Sequence, residues 1–260
     1  MNSDEAVYRV DDRTAHTSPT AAGPWDPRLQ HGSAPSSLIC WTVENLPSPV
    51  PMRLARLTVD LMRPVPVAPL AIETEIVREG RKIQLINVRL LAGSSEVVRA
   101  SALRIRVSNQ ELPARATTPT LDLPPPEQGA PPNFNKDDTP FLRGLDISVV
   151  RGSMGAPGPA AVWFRARQPI VGGAAISPAM RAAIAADFCN GVSSVLSPRH
   201  WTFINGDLTV SLGREPKGDW ILLDAETWIG PDSVGIAAGR LADTSGYFGR
   251  AVQSIIFEKR

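Results

Sequence analysis

An aspartate within an apolar stretch is the first candidate for chemistry in this chain. Asp187 lies in the run IAADFC, whose other members are small or apolar. A buried carboxylate is costly unless hydrogen bonds or charges compensate it, and such groups concentrate at functional sites. A carboxylate can accept a proton from water, so Asp187 is a candidate general base. The alternative is an ion-paired or solvated aspartate, with Arg181 or Arg199 as its partner.

The side-chain amide of Gln253 is the second candidate. It lies in a strand-like segment in which Ala251, Ile255 and Phe257 share its face, and it is the polar member of that row. A polar group on an apolar face needs a hydrogen-bond partner, and an amide can hold a water molecule in line for attack. The alternative is that this face meets water at a sheet edge.

Other motifs for catalysis are incomplete. The segment NGVSS (190–194) lacks the second glycine of a G-x-S-x-G turn and lies in a predicted helix. The three histidines, His16, His31 and His200, stand in unrelated contexts, which argues against a Ser-His-Asp triad. No C-x-x-C or H-E-x-x-H spacing occurs, so neither a metal nor another cofactor is predicted.

One histidine and the two cysteines are further residues that could bear on function. His31, in QHGSAP, would either line the entrance of a site or cap a turn. Cys189, two residues from Asp187, is predicted to be a small buried residue rather than a nucleophile. Cys40 also lies in an apolar segment, so no disulfide framework is implied and a reducing cytoplasm is the expected compartment.

An internal repeat organises the elements that must position these residues. Residues 57–106 align with 208–257 at an offset of 151, without a gap and with 12 identities in 50 positions. A repeat of this length indicates two copies of one strand-rich unit. Ala102 stands at the position that matches Gln253.

The copies also differ in their helices, because the first has no carboxylate between His31 and Glu44. We interpret the polar pair Asp187 and Gln253 as a property of the second copy alone.

Each copy is predicted to contain short strands, one helix and then a run of antiparallel strands, which indicates an α+β fold. The helices are predicted over 36–46 and from Ser177 to about 196, where Ser177 can cap and Pro178 suits the first turn. Period-two alternation and β-forming residues predict the strands, over 6–10, 54–63, 69–78, 82–91 and 96–107, and over 145–151, 159–168, 205–213, 219–229, 233–242 and 247–258.

Composition narrows the class of protein. The chain has 260 residues, 43% of them apolar, and a net charge of +1. It has no run of five basic residues, which argues against nucleic-acid or membrane-surface partners. It has no apolar stretch of the length that spans a membrane, and MNSDEAVYRV is not expected to be a signal peptide. Eight prolines within 113–140 predict an extended linker between the two copies.

Taken together, these segments resemble the double hot-dog acyl-CoA thioesterases of type II. The resemblance is carried by GPWDPRLQHGSAPSSLI (23–39), RLTVDLMRPVPVAPL (56–70), AADFCNGVSSVL (185–196), WTFINGDLTVSLGR (201–214) and GRAVQSIIF (249–257). It implies a tandem hot-dog fold, in which each half is a long helix wrapped by a curved antiparallel sheet. The implied division is an N-terminal hot-dog domain over 1–108, a proline-rich linker over 109–140 and a C-terminal hot-dog domain over 141–260.

The resemblance also implies an activity and a site. The family hydrolyses acyl-CoA to free acid and CoA, with water held by an aspartate, a hydroxyl or amide residue and a glutamine. These positions match Asp187, Asn205 and Gln253, although better-studied members have threonine where this chain has Asn205. A shifted alignment would select Thr202 or Thr209 instead.

The sequence therefore predicts a cytoplasmic acyl-CoA thioesterase in which Asp187 activates water. Backbone N–H groups at 30–33 or at 171–174 are the candidate oxyanion donors. Exposed sheet edges would allow a homodimer. Two alternatives remain: a hot-dog enoyl-CoA hydratase or dehydratase, whose chemistry commonly pairs an aspartate with a histidine, and a non-catalytic acyl-CoA-binding protein.

Overall fold

A continuous antiparallel sheet of thirteen strands is the framework of the part of the chain described by the computed structural model, residues 6–113, 116, 118–197 and 199–260. The strands are β1 (Tyr8–Asp11), β2 (Thr14–Thr17), β3 (Met52–Leu61), β4 (Leu70–Glu79), β5 (Ile83–Ala92), β6 (Ser95–Arg106), β7 (Leu145–Arg151), β8 (Ala160–Ala166), β9 (Trp201–Asn205), β10 (Asp207–Leu212), β11 (Trp220–Ile229), β12 (Val234–Asp243) and β13 (Gly246–Lys259). The helices are α1 (Ser33–Glu44), α2 (Pro140–Arg143), α3 (Pro178–Ala186) and α4 (Cys189–Ser193). The predicted α+β class is confirmed.

The two copies of the repeat meet where β3 pairs with β10. The strand order is β1-β2-β4-β5-β6-β3 in the first half and β10-β13-β12-β11-β8-β7 in the second, with β9 beside β13. Thr58 lies opposite Thr209, and their hydroxyl oxygens are 3.2 Å apart. These two threonines are also equivalent in the repeat, so an approximate two-fold axis passes between them.

The helices α1 and α3 pack against each other on one face of this sheet. The hydroxyl of Ser33, at the start of α1, donates to the carbonyl of Ile184 near the end of α3 at 3.0 Å. The thiol of Cys40, two turns further along α1, contacts the carbonyl of Ala179 at 3.7 Å. The helices are therefore antiparallel, and the small residues between them allow a close approach. The N-terminus of α1 consequently lies beside the C-terminus of α3.

A buried arginine caps the far end of α1. The guanidinium of Arg104 donates to the carbonyls of Val43 and Leu46 at 3.0 Å and to that of Pro47 at 2.7 Å, and Gln84 accepts from its Nε at 2.8 Å. These bonds tie the last turn of α1 and the residues that follow it to the sheet. Burial lowers the pKa of Arg104 from its usual value. The arginine thus fixes α1 to the sheet at the end opposite to Ser33.

The proline-rich segment packs on the outer face of the second half-sheet. There Trp163, Leu222 and Tyr247 form a small apolar cluster with Leu121 and Leu123. The indole N–H of Trp163 donates to the carbonyl of Pro124 at 2.9 Å. This part of the predicted linker is therefore held against the sheet, while residues 114, 115 and 117 lie outside the described residues. The division into two domains and a linker remains a prediction.

Some predicted elements differ from those of the structure. The helix predicted from Ser177 to about 196 is wrong as one element, because it divides into α3 and α4 at Asp187 and Phe188. The strand predicted over 205–213 corresponds to β10, whereas the preceding strand β9 was not predicted; between them the Gly206 N–H donates to the carbonyl of Ser254. The first helix begins at Ser33, earlier than predicted, with Pro35 in its first turn. No helix in the described residues is long and apolar enough to cross a membrane.

The Arg104 cap generates a stability prediction. Arg104→Met should reduce the free energy of unfolding by about 3 kcal/mol, because it removes the guanidinium bonds to three carbonyls and to Gln84. Urea denaturation followed by circular dichroism measures this change. Arg99→Met on the same strand, where the side chain is half-exposed, is the control and should have little effect. Equal effects of the two substitutions would contradict the assigned role.

Candidate active site

The carboxylate of Asp187 lies at the junction of the two halves. Asp187 is the C-terminal cap of α3, and only 4% of its side chain is exposed. The hydroxyl of Ser33, the first residue of α1, donates to Oδ2 at 3.1 Å. A negative charge at a helix N-terminus is stabilised by the helix dipole and by the free N–H groups there. The first half therefore provides the positive end of α1 for a carboxylate that belongs to the second half.

Gly32 allows this close approach. It is the N-cap of α1, and a Cβ atom added to it would lie 2.7 and 2.8 Å from the two carboxylate oxygens of Asp187. Its backbone φ of −60° is open to any residue, so the requirement for glycine here is one of space alone. The carboxylate consequently packs directly on the backbone that opens α1.

The structure brings the three predicted site residues together. The side-chain amide of Asn205 donates to Oδ1 of Asp187 at 3.4 Å, and that of Gln253 donates to the same oxygen at 3.4 Å. Thr209 instead pairs with Thr58, and the Thr202 hydroxyl accepts from Arg260. The geometry therefore favours Asn205 as the third member of the set over both threonines.

The side chain of Gln253 also bridges the break between α3 and α4 by hydrogen bonds to the backbone. It is fully buried, its Nε2 donates to the main-chain carbonyl of Asp187 at 2.9 Å, and its Oε1 accepts from the N–H of Asn190 at 3.0 Å. These are backbone groups that an uninterrupted helix would have paired internally. In the first half α1 is unbroken, and Ala102 occupies the equivalent place on the sheet. The glutamine is thus tied to the turn that presents Asp187, and the interpretation of a water-facing residue at a sheet edge is wrong.

A histidine from the first half completes the surroundings of the carboxylate. The Nδ1 atom of His31 is 3.2 Å from Oδ2 of Asp187, and its ring packs between the rings of Phe141 and Phe188 at centroid distances of 5.0 and 4.6 Å. The Ser33 N–H donates to the same Nδ1 atom at 3.2 Å. The imidazole of His31 therefore lies between the backbone that opens α1 and the carboxylate of Asp187.

Sequence reasoning missed this contact. His31 and Asp187 are 156 positions apart, so no local spacing could link them. The available signal was the place of His31 one residue before Gly32, at the start of a helix whose partner helix carries Asp187.

The repeat shows that the molecule has this arrangement once. At the offset of 151, Asn205 and Gln253 match Leu54 and Ala102, and α1 has no carboxylate before Glu44. These residues provide no carboxylate and no side-chain amide.

The ion-pair interpretation of Asp187 with arginine is not what the structure shows. Arg181 pairs with Asp219 at 2.8 Å instead. The groups that contact the carboxylate are a histidine, a hydroxyl and two amides.

The two thiols are predicted to be unreactive in the folded protein. Cys40 and Cys189 are free and buried, and burial raises the pKa of each thiol far above its usual value. We expect Ellman's reagent to label no thiol in native protein and two in denaturant. Rapid labelling of native protein, with the unfolded fraction measured in parallel, would contradict this burial.

Gly32 offers a test of the packing around the carboxylate. Gly32→Ala should reduce the free energy of unfolding by about 1–3 kcal/mol, because the added methyl group overlaps both carboxylate oxygens. Gly191→Ala is a matched control, since its Cβ would meet only a ring atom of Phe188 at 3.9 Å. Urea denaturation of both variants measures the difference. An equal response at the two glycines would show that Gly32 is not packed as described.

Comparison with known proteins agrees with the fold and the order of the two halves. The acyl-CoA thioesterase N-terminal domain family matches residues 21–105, and the acyl-CoA thioesterase C-terminal domain family matches residues 117–257. No curated protein matches the chain.

Similar solved structures include a conserved hot-dog protein of unknown function from Alicyclobacillus acidocaldarius, with 17% identity, a TM-score of 0.78, and coverage of 99% of this chain and 98% of that chain. A second is the acyl-CoA thioesterase II TesB2 from Mycobacterium marinum, with 15% identity, a TM-score of 0.69, and coverage of 99% and 98%. The predicted double hot-dog fold is confirmed, and the chain belongs to the acyl-CoA thioesterase family.

Proposed function

We propose that this protein hydrolyses acyl-CoA thioesters with water activated by Asp187. The observation that carries the proposal is the contact of one buried carboxylate with two side-chain amides and the N-terminus of a helix from the other half. Membership of the thioesterase family supports the same reaction class. The arrangement combines a proton acceptor with groups that fix its orientation, which general-base hydrolysis needs.

In the proposed reaction, a water molecule held by Asp187 attacks the thioester carbonyl carbon. A carbon–oxygen bond forms, and the proton of the water passes to the Asp187 carboxylate. The tetrahedral intermediate then collapses, the carbon–sulfur bond breaks, and the proton leaves with the CoA thiolate. Asn205 and Gln253 would orient the carboxylate and the water through their amides.

The oxyanion of the intermediate needs donors that are already in place. Among the described residues, the Gly32 N–H has no hydrogen-bond acceptor and lies beside the Asp187 carboxylate at the positive end of α1. At the other candidate segment, the N–H groups of Gly172 and Ala174 donate to carbonyls of Tyr8 and Val171. We assign the oxyanion donor to the α1 N-terminus, with Gly32 as its first member, because Gly32 packs against the Asp187 carboxylate.

The contact between His31 and Asp187 favours a second candidate, an enoyl-CoA hydratase or dehydratase. That chemistry commonly pairs an aspartate with a histidine, and these two side chains are 3.2 Å apart. A crotonyl thioester distinguishes the reactions. Hydrolysis releases a thiol, whereas hydration removes the enoyl absorbance and releases none. Tight acyl-CoA binding with neither change would indicate a non-catalytic binding protein.

Replacement of the base gives the direct test of hydrolysis. Asp187→Asn should lower kcat for the best acyl-CoA by about 100-fold or more, because the amide cannot accept the proton of water. Thiol release from short, long and aromatic acyl-CoAs measures the rate. Asp219→Asn is the control, since that carboxylate is 62% exposed and pairs with Arg181. Full kcat in a folded Asp187→Asn variant, verified by circular dichroism, would reject the mechanism.

A further inference from the structure

A tryptophan is exposed near the candidate active site. Trp25, in the loop before α1, is 48% exposed, and its ring meets the ring of Phe203 edge-on at 5.7 Å. Phe203 and Asn205 lie two positions apart on β9 and so share one face, about 7 Å apart along the strand. Asn205 contacts Asp187. Trp25 therefore contacts β9 two positions away from Asn205, on the face of the sheet that carries Asn205.

An arginine is held against this tryptophan. The centre of the Arg260 guanidinium lies 5.6 Å from the centre of the Trp25 ring. Its Nε donates to the Thr202 hydroxyl at 3.2 Å, and its main-chain N–H donates to the carbonyl of His200 at 3.0 Å. These bonds restrict the side chain, while its remaining N–H groups can form the paired bonds that phosphate accepts. A second arginine, Arg28, follows Trp25 by three positions, but its guanidinium is paired with the carboxylate of Asp26 at 2.7 Å.

An aromatic face beside a fixed arginine suits a ligand that has both a flat ring and a phosphate group. Nucleobases stack on indole rings, and arginine binds phosphate oxygens. A thioester that reacts at Asp187 carries such a group at the far end of the pantetheine arm of CoA. We propose that Trp25 and Arg260 bind the phosphorylated adenosine of CoA, with the adenine on the indole and a phosphate on the guanidinium. This inference rests on the proposed thioesterase function.

The aromatic partner of Trp25 belongs to the second half-sheet. At the offset of 151, Met52 on β3 matches Phe203 on β9, so the equivalent position of the first half-sheet carries no aromatic ring. The proposed nucleotide site and the candidate active site both combine residues of the two halves, Trp25 with Phe203 and Ser33 with Asp187.

Substrates with and without the nucleotide separate recognition from catalysis. Trp25→Ala and Arg260→Ala should each raise KM for acyl-CoA about tenfold, with kcat unchanged, because base stacking and phosphate contacts contribute to binding alone. The same variants should leave kcat/KM unchanged for the matching acyl-N-acetylcysteamine, which has no nucleotide. Trp25→Phe should restore most of the lost affinity. Trp228→Ala is the matched control, since Trp228 is 65% exposed on β11.

A binding measurement tests the inference without turnover. Calorimetry with 3′,5′-adenosine bisphosphate should show a Kd about tenfold weaker in Trp25→Ala than in the wild-type protein or Trp228→Ala. Unchanged binding and unchanged KM in Trp25→Ala would overturn the inference. Equal losses for acyl-CoA and acyl-N-acetylcysteamine would also overturn it, because they indicate a structural role.

The two proposals can fail separately. If the wild-type protein hydrolyses no thioester but binds the bisphosphate through Trp25, the nucleotide site stands and the thioesterase function fails. If hydrolysis depends on Asp187 while both Trp25 tests show no change, the function stands and the nucleotide site fails.

Discussion

The pairing of β3 with β10 is the constraint on which the rest of this molecule depends. It joins the two half-sheets in the register Thr58 opposite Thr209, so the helices of both halves lie on one face of a continuous sheet. Antiparallel packing of α1 on α3 then places the start of one helix beside the end of the other. Without this joint, Asp187 would lack the positive helix end and the Ser33 hydroxyl that compensate its burial. The candidate site is consequently a product of the interface between the halves.

The two halves have diverged at the place where the site is built. Interruption of the second helix leaves backbone groups unpaired, and the side chain of Gln253 pairs with two of them. The first half has an unbroken helix opposite Ala102 and no need for such a bridge. Gln253 on β13 therefore stabilises the turn between α3 and α4 and contacts the Asp187 carboxylate. The two roles are linked, because Asp187 lies in that turn. Buried polar groups of this kind are expected to have every hydrogen bond satisfied, as Gln253 has.

The family assignment and the geometry limit the reaction in different ways. The domain families cover both halves and indicate thioesterase chemistry in general, whereas the solved structures below 20% identity establish the fold alone. The contact between His31 and Asp187 places an imidazole of the first half beside the carboxylate of the second.

The sequence by itself determined the elements and their order. Alternation of Leu57 and Val59 with polar neighbours predicted the strand, and the offset of 151 indicated two copies of one unit. The isolation of Asp187 and Gln253 among apolar residues identified them as candidate site residues. These features follow from local periodicity and burial, which are written in adjacent residues.

Tertiary structure decided what depends on distant pairing. It brought His31 to Asp187 across 156 positions, broke the helix at Asp187, where Gln253 could replace the lost bonds, and laid the proline segment against Trp163. None of these contacts has a local sequence signal, because each joins segments that are far apart in the chain.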